Sequence, residues 1–355
     1  MGLRKASTIK DVAKLANVST ATVARVVHAN GYVAEATQQR VVEAIRVTDY
    51  RVNSIAQSLR RKRTRIIGHI LQSTFPNPFF VQVALGAEKY ALEQGYSVLT
   101  YNVQGNPKLE RHGIETFFRW RADAIMFTTP IDPENVRLAT ERGIPTVQVE
   151  RPVLAEVDRV VVDNYTGAAA AMDHLTGMGH KYIAFIGQNP SVHDNPIPRY
   201  VEQERLDAYR DALSKHALPD DQQLIAFGSY YDLADRSAHE HGYRAMEKFL
   251  TLRPRPTAVF ASNDILAAGV LQCLYQYGLN VPDDFSVIGF DDTYAAFVSP
   301  LLTTVRMPMQ ALGRAATKLI VQRLEGQVTQ LVQMEKLPTE LVIRNSTGRV
   351  PKGTS

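Results

Sequence analysis

From Ile66 onward the chain alternates between short β-rich runs and helix-length segments, and this alternation constrains the fold more than any other feature. The strand candidates are 66–71 (IIGHIL), 97–102 (SVLTYN), 124–127 (AIMF), 145–149 (PTVQV), 159–163 (RVVVD), 182–187 (YIAFIG), 257–262 (TAVFAS) and 285–291 (FSVIGFD). Helix-length segments lie between them, for example 81–94, 133–142, 165–178, 204–216 and 264–277, and a last amphipathic stretch covers 309–324. Regular strand–helix–strand repetition produces parallel sheets with helices on both faces. The units are too many for one small sheet, so an α/β body of two Rossmann-like lobes is expected. Ligands of such sheets sit beyond the carboxyl ends of the strands.

The first 65 residues follow a different period. Thr8 and Asp11 have the spacing of a capping box, which starts a helix by satisfying orphan backbone N–H groups. Ile9, Val12, Ala13 and Ala16 then repeat as a buried helical face. Asn17 and Val18 break the run, and Ser19 caps a second helix, Thr20 to Val27, whose Val23, Val26 and Val27 turn to the same small core. A third helix is expected over 34–47, after the Asn30-Gly31 turn signal, with Val41, Ala44 and Ile45 as its apolar face. This is a helix-turn-helix pattern. Thr20, Ala21, Thr22 and Arg25 are left outside: short side chains that let a helix sit deep in a DNA major groove, and one that forks onto guanine. An ordinary helical hairpin with a solvated polar face has the same periodicity.

Charge separates the two readings. Residues 1–65 carry 13 Lys/Arg against 4 Asp/Glu, a surplus of +9, whereas the remainder carries 27 against 32, or −5. A basic head on a mildly acidic body points the head at a polyanion. The single Cys, Cys273, excludes a disulfide framework and a cysteine zinc site, and its apolar surroundings make it a small core residue. Met1 is followed by GLRKAST with no apolar stretch of a secretory signal, and no run of about 20 apolar residues suggests a membrane span. The expected setting is cytoplasmic, with no membrane partner.

After the head come Tyr50-Arg51-Val52-Asn53 and then Ser54 to Arg65 (SIAQSLRRKRTR), where Ser54 can cap a short helix with Ala56 and Leu59 on one face. The order helix-turn-helix, Tyr-x-x-Asn, Ala-x-x-Leu, basic linker, Ile67-Gly68 resembles the lactose-repressor (LacI/GalR) family of bacterial transcription factors, and the likeness runs to about Arg344. The resemblance implies a periplasmic-binding-protein-like body with the ligand between its lobes. It also implies a hinge helix that folds on the operator, with Leu59 wedged into the minor groove beside Ala56 and with Asn53 near the backbone. Such a wedge costs a few kcal/mol of unstacking, repaid by further contacts. Thr20, Ala21 and Arg25 match base-reading positions. Thr8, Ser19, Thr22 and Tyr50 match phosphate-contacting ones. Two departures stand out: Ala24 replaces a common Ser, removing a hydroxyl, and Val52 replaces a common Pro ahead of the hinge helix.

For the ligand, the resemblance and the strand-end rule converge on Asn77 and Phe79 in the run 75–80, Arg199 and Arg205 after the 182–187 strand, Asn263 after 257–262, and Asp291 at the end of 285–291. Tyr230 or Tyr231 supplies an aromatic platform. By the resemblance, Asp291 matches an Asp that accepts hydrogen bonds from sugar hydroxyls or a purine, Arg205 a clamp on hydroxyl or carboxylate, Asn263 a polar contact and Phe79 an apolar or stacking wall. Arg199 reads equally as a surface salt bridge, and Asp264 reads as a helix cap. Asp163-Asn164 reads as a cap of the next helix. The resulting organisation is a helix-turn-helix domain at 1–52, a hinge helix and basic linker at 53–65, a two-lobed effector-binding and dimerisation domain at 66–345, and a polar tail at 346–355.

The sequence therefore describes a ligand-responsive repressor on a pseudo-palindromic double-stranded operator, acting as a homodimer because the heptad helix of tetrameric members is missing. A carbohydrate is the expected effector; a purine or sugar phosphate suits the same residues. A solute-binding protein without regulatory role is disfavoured by the basic head. An enzyme is disfavoured because no nucleophile elbow, phosphate loop or His-Glu-x-x-His motif is found. Gly177-Met178-Gly179 is a lone fragment, and His239-x-His241 lacks metal partners. No cofactor or metal is expected.

Overall fold

A computed structural model describes residues 7–27, 30–50, 63–72, 77–188, 200–228, 237–328 and 332–350. The chain divides into two compact units, Met1–Thr64 and Arg65–Ser355. The small unit contains α1 (Ile9–Ala16), α2 (Thr20–Val27) and α3 (Glu35–Thr48). The Asp11 carboxylate accepts hydrogen bonds from the Thr8 backbone N–H at 2.8 Å and the Thr8 hydroxyl at 2.7 Å, which fixes the start of α1. Asn17 ends that helix in the left-handed region at φ 50°, a conformation Asn tolerates better than most residues. The Ser19 hydroxyl accepts from the Thr22 N–H at 3.1 Å and so caps α2. Val12, Val23 and Val41 are fully buried where the three helices meet, with Ala13, Ala16 and Ala44 beside them. Small residues at this point let the helices approach closely, and the expected apolar faces are the observed ones.

The larger unit holds two six-stranded sheets. The first lobe runs β1 (Ile66–Leu71), α4 (Pro78–Glu93), β2 (Ser97–Asn102), α5 (Pro107–Arg119), β3 (Ala124–Thr128), α6 (Pro133–Thr140), β4 (Thr146–Val149) and β5 (Asp158–Val162). The chain then crosses to the second lobe, with α7 (Asn164–Gly177), β6 (Ile183–Gly187), α8 (Tyr200–Lys215), β7 (Ile225–Phe227), α9 (Ser237–Thr251), β8 (Ala258–Ala261), α10 (Asp264–Gln276), β9 (Ser286–Asp291) and β10 (Thr303–Arg306). It returns through α11 (Met309–Leu324) to β11 (Met334–Leu337), and crosses a third time to β12 (Glu340–Val342).

The sheet orders are β11-β5-β4-β3-β1-β2 and β12-β10-β9-β8-β6-β7, the same arrangement twice. Strand pairs are parallel except β10 with β12. The crossings are tied together: the Asp163 N–H donates to the Leu337 carbonyl at 2.8 Å, and the Thr339 hydroxyl donates to the Asp163 carbonyl at 3.0 Å. One apolar core spans both lobes, from Ile67, Phe80 and Ile320 to Phe185, Tyr209 and Phe290. Each lobe has a further core on its other face, around Phe117 and Phe127 in the first and Phe249 and Phe285 in the second.

Two helix pairs meet backbone to backbone. In the first lobe Gly86 of α4 faces the Gln310 carbonyl and Gly313 of α11 faces the Val83 carbonyl; a Cβ at either glycine would overlap that oxygen. In the second lobe Gly242 of α9 and Gly269 of α10 stand in the same relation to Leu266 and His239.

The expected strands are present, with ends displaced by a residue or so. Four short strands were not foreseen: β7, β10, β11 and β12. All four have three or four residues and lie at or next to a sheet edge, and exposed β11 (MEKL) lacks apolar alternation. The polar run after Arg344 also behaves differently from a solvated tail at its start. Ser346 is fully buried; its hydroxyl accepts from the Thr303 N–H at 2.8 Å and donates to the Val287 carbonyl at 2.6 Å. Its polarity therefore serves internal hydrogen bonds.

Candidate functional site

Between the lobes the carboxyl ends of the strands face a common cleft. It is lined by Asn77, Phe79, Glu150 and Arg151 from the first lobe, Arg205, Asn263, Ile265 and Asp291 from the second, and Met307 from a crossing. Five residues expected from sequence thus come together: Asn77, Phe79, Arg205, Asn263 and Asp291. Arg199, Tyr230 and Tyr231 lie outside the described residues.

Each position follows from local structure. Asn77 caps α4, its side-chain oxygen accepting from the Phe79 N–H at 2.9 Å, and this turn carries the Phe79 ring inward against Phe80. Asn263 caps α10, accepting from the Leu266 N–H at 2.8 Å. Asp264, expected to cap, does not. It is fully buried and ties loops together, accepting from the Tyr294 and Ala295 N–H groups, each at 3.1 Å, and from the Thr304 hydroxyl at 2.6 Å. The reason is geometric: Asn263 already occupies the cap, so the next side chain points to the neighbouring strand. Asp163 caps α7 as expected, through the Thr166 N–H at 3.1 Å.

Asp291 sits at φ 102°, outside the usual range of an L-residue, and such backbone strain concentrates where a site must be held in place. It is 5% exposed. One carboxylate oxygen accepts from the Thr293 N–H at 3.0 Å and the Thr293 hydroxyl at 2.5 Å. Burial pushes its carboxyl up to about 6, against the opposing effect of the Thr293 bonds and the Arg205 charge. Asp264 is raised well above the ordinary carboxylate range, by burial first and by the Asp291 charge second. Two buried carboxyls side by side resist ionising together.

Arg205 is a wall of the cleft more than a free clamp. Its Nε and Nη2 donate to the Asn164 side-chain oxygen at 3.0 and 2.7 Å, and its Nη1 donates to the Ser262 carbonyl at 2.7 Å. The guanidinium lies over the Phe290 ring, 3.7 Å from its centre. Glu150 approaches Arg205 at 3.9 Å from the opposite lobe; burial raises its carboxyl, with the two nearby arginines opposing. Beside it Arg151 donates to Glu202 of α8 at 2.7 Å. Glu150 and Arg151 escaped the sequence reading, although they follow the 145–149 strand directly and the strand-end rule applies to them. Ile265 and Met307 gave no comparable signal.

On the small unit, Thr20, Ala21 and Arg25 are exposed on α2, Thr8 and Ser19 are exposed at the helix starts, and Thr22 and Tyr50 are half-buried. Asn53, Ala56 and Leu59 lie outside the described residues. Among the described residues no cluster of three His, Cys, Asp or Glu side chains could hold a metal, and no helix is long and apolar enough to cross a membrane.

A helix-turn-helix unit joined to a two-lobed sheet pair with a polar cleft defines a ligand-gated DNA-binding protein, and comparison with known proteins gives its family. Residues 8–53 match the bacterial regulatory proteins of the lacI family, and residues 172–347 match the periplasmic binding protein-like domain. The HTH-type transcriptional repressor PurR of Aliivibrio fischeri is 34% identical over 347 residues, covering 96% of this chain and 98% of the relative. The ribose operon repressor of Escherichia coli K12 is 31% identical over 338 residues, covering 94% and 97%. Among solved structures, a complex of the transcriptional regulator CelR with cellobiose is 27% identical with a TM-score of 0.69, covering 96% and 99% of the two chains. The Lac repressor dimer bound to operator shares the fold, with a TM-score of 0.81 at 24% identity over 97% and 100%. The chain belongs to the LacI family and is an effector-controlled DNA-binding repressor.

Proposed function

We propose that the effector is a neutral, polyhydroxylated molecule, a monosaccharide or small glycoside, held between the lobes by Asn77, Phe79, Glu150, Arg205, Asn263 and Asp291. The observation that carries this reading is the composition of the described lining: carboxylates, amides and guanidinium groups outnumber the apolar Phe79, Ile265 and Met307, of which Phe79 alone is aromatic. Hydroxyl groups donate and accept at once, which suits acceptor carboxylates beside donor amides. A purine draws on flat stacking surfaces, and Phe79 is the one ring among the described lining residues. The ribose and cellobiose names among the relatives favour the same class.

In this reading Thr20, Ala21 and Arg25 read bases, while Thr8, Ser19, Thr22 and Tyr50 hold phosphates. Two copies of the chain bind a pseudo-palindromic operator, and the protein carries out no turnover. Effector and operator influence each other reciprocally, with a coupling of about 1–3 kcal/mol.

A thermal-shift series with D-ribose, cellobiose, hypoxanthine and guanine tests the effector class. A ligand at 100-fold excess over its Kd stabilises by about 2.7 kcal/mol. Stabilisation by a sugar that disappears in Asp291→Ala is expected. Stabilisation by a purine alone overturns the carbohydrate reading, and an unchanged sugar response in Asp291→Ala removes that residue from the site.

A further inference from the structure

The cleft is bridged by two ion pairs of opposite polarity. Consecutive residues of the first lobe, Glu150 and Arg151, meet Arg205 and Glu202, which lie three apart on one face of α8 in the second lobe. The pairs differ in kind. Glu150 and Arg205 stand 3.9 Å apart, and Arg205 is held mainly by Asn164 and Ser262 of its own lobe or crossing. Arg151 instead reaches Glu202 with two nitrogens, Nε at 3.0 Å and Nη2 at 2.7 Å, on one carboxylate oxygen. The Glu202 side chain is 1% exposed and that of Arg151 18%. The second Glu202 oxygen is buried and has no hydrogen-bond partner among the described residues.

We infer that Arg151 and Glu202 form a clasp that holds the lobes together and thereby sets how readily the cleft opens to its effector. The inference rests on the cleft being the effector site, which the two residues would serve as positioning residues. The two partners are unequally buried. A carboxylate buried in low dielectric is tolerated only while its counter-charge is present. With Arg151 gone, Glu202 is rehydrated most fully when the lobes part. With Glu202 gone, Arg151 keeps its contact with water, its side chain being 18% exposed, and no charge is left fully buried. The arginine deletion therefore opens the cleft widely, whereas the glutamate deletion and the double deletion, which leave no charge buried, open it only slightly. A pair that served only to fill space would show no such order.

The distance between the lobes reads this directly, without any ligand. Spin labels at Glu141→Cys, before β4, and Asp283→Cys, before β9, sit at the outer ends of the two sheets in the full-length protein. In Arg151→Ala the open population is expected to rise about tenfold or more. In Glu202→Ala it should rise less than about threefold, and Arg151→Ala/Glu202→Ala should match Glu202→Ala instead of Arg151→Ala. Distances unchanged in Arg151→Ala, or a double variant more open than either single one, overturn the clasp. Titration of each variant with D-ribose and cellobiose by calorimetry then separates the two ideas: a clasp seen in the distances with no binding of either sugar to the parent protein leaves the clasp standing and the carbohydrate reading fallen.

Discussion

The two lobes share one sheet order but place their closest helix contact on opposite faces. In the first lobe the glycine contact joins α4 to α11, on the core that runs through both lobes; in the second it joins α9 to α10, on a core of that lobe alone. The difference lies in where the helices come from. α11 enters from the second lobe immediately after Met307, which lines the cleft, and Met307 donates its N–H to the Asp291 carbonyl at 3.4 Å. α9 and α10 flank β8 and belong to one lobe. Duplicated architecture thus carries a contact that crosses lobes in one copy and stays local in the other. The first lobe is also the one whose opening strand continues from the linker to the DNA-binding unit.

The lobes are alike in a second respect, which offers the largest test. Each uses a buried acid to hold a loop: Asp264 in the second, and in the first Glu110, which accepts from the Ile131 and Asp132 N–H groups at 2.9 and 3.1 Å and from the Asn135 amide at 2.9 Å. Removing either acid strands buried donors, so Asp264→Ala and Glu110→Ala are each expected to cost about 3 kcal/mol in urea unfolding. Their consequences for the cleft should part: effector titration shifts in Asp264→Ala, because Asp264 adjoins Asp291, and stays put in Glu110→Ala. Equal shifts would erase the distinction.

Gly313→Ala and Gly269→Ala come next. Both force a Cβ onto a carbonyl and should cost about 1–3 kcal/mol by thermal unfolding. Gly313→Ala alone should weaken the effect of effector on operator affinity in a gel-shift titration, since only its helix begins at the crossing beside the cleft.

A smaller effect is expected with pH. Burial holds the Asp291 proton on in the folded chain up to about 6, while the unfolded chain releases it near 4. The folded state therefore binds more protons in this window, and its stability falls as pH rises from about 4 to about 6, then levels. Asp291→Asn should flatten that segment of a denaturation-midpoint series. Effector affinity should rise through the same window if hydroxyls donate to the ionised carboxylate, and an affinity that falls instead points to a protonated Asp291 as donor.

Much of this was legible in the sequence because it rests on local rules. The head shows its periodicity in Val12, Ala13, Val23 and Val41, and the central strands are apolar enough to stand out. Asn77, Phe79, Arg205, Asn263 and Asp291 could be found because parallel sheets gather strand ends and because the family resemblance points to the same positions, Arg205 and Asp291 above all. What stayed hidden depends on contacts far apart in the chain. Asp264 looks like a cap until Asn263 is seen to occupy that place. The partnership of Arg151 with Glu202 needs two lobes in space, as does the role of Gly86 and Gly313. Edge strands such as β11 take their form from a neighbour and not from their own composition.

The three crossings have a mechanical meaning. The chain passes between the lobes at Asp163, at Met307-Pro308 and between Leu337 and Glu340, and the first and third are hydrogen-bonded to one another. One span would let the lobes swivel freely; three side by side, two of them tied, resist twist and slide and leave bending as the soft degree of freedom. Whatever enters the cleft is then translated into one angle. A molecule wired in this way transmits an amount and no direction, so ligands of different shape act as stronger or weaker settings of the same dial.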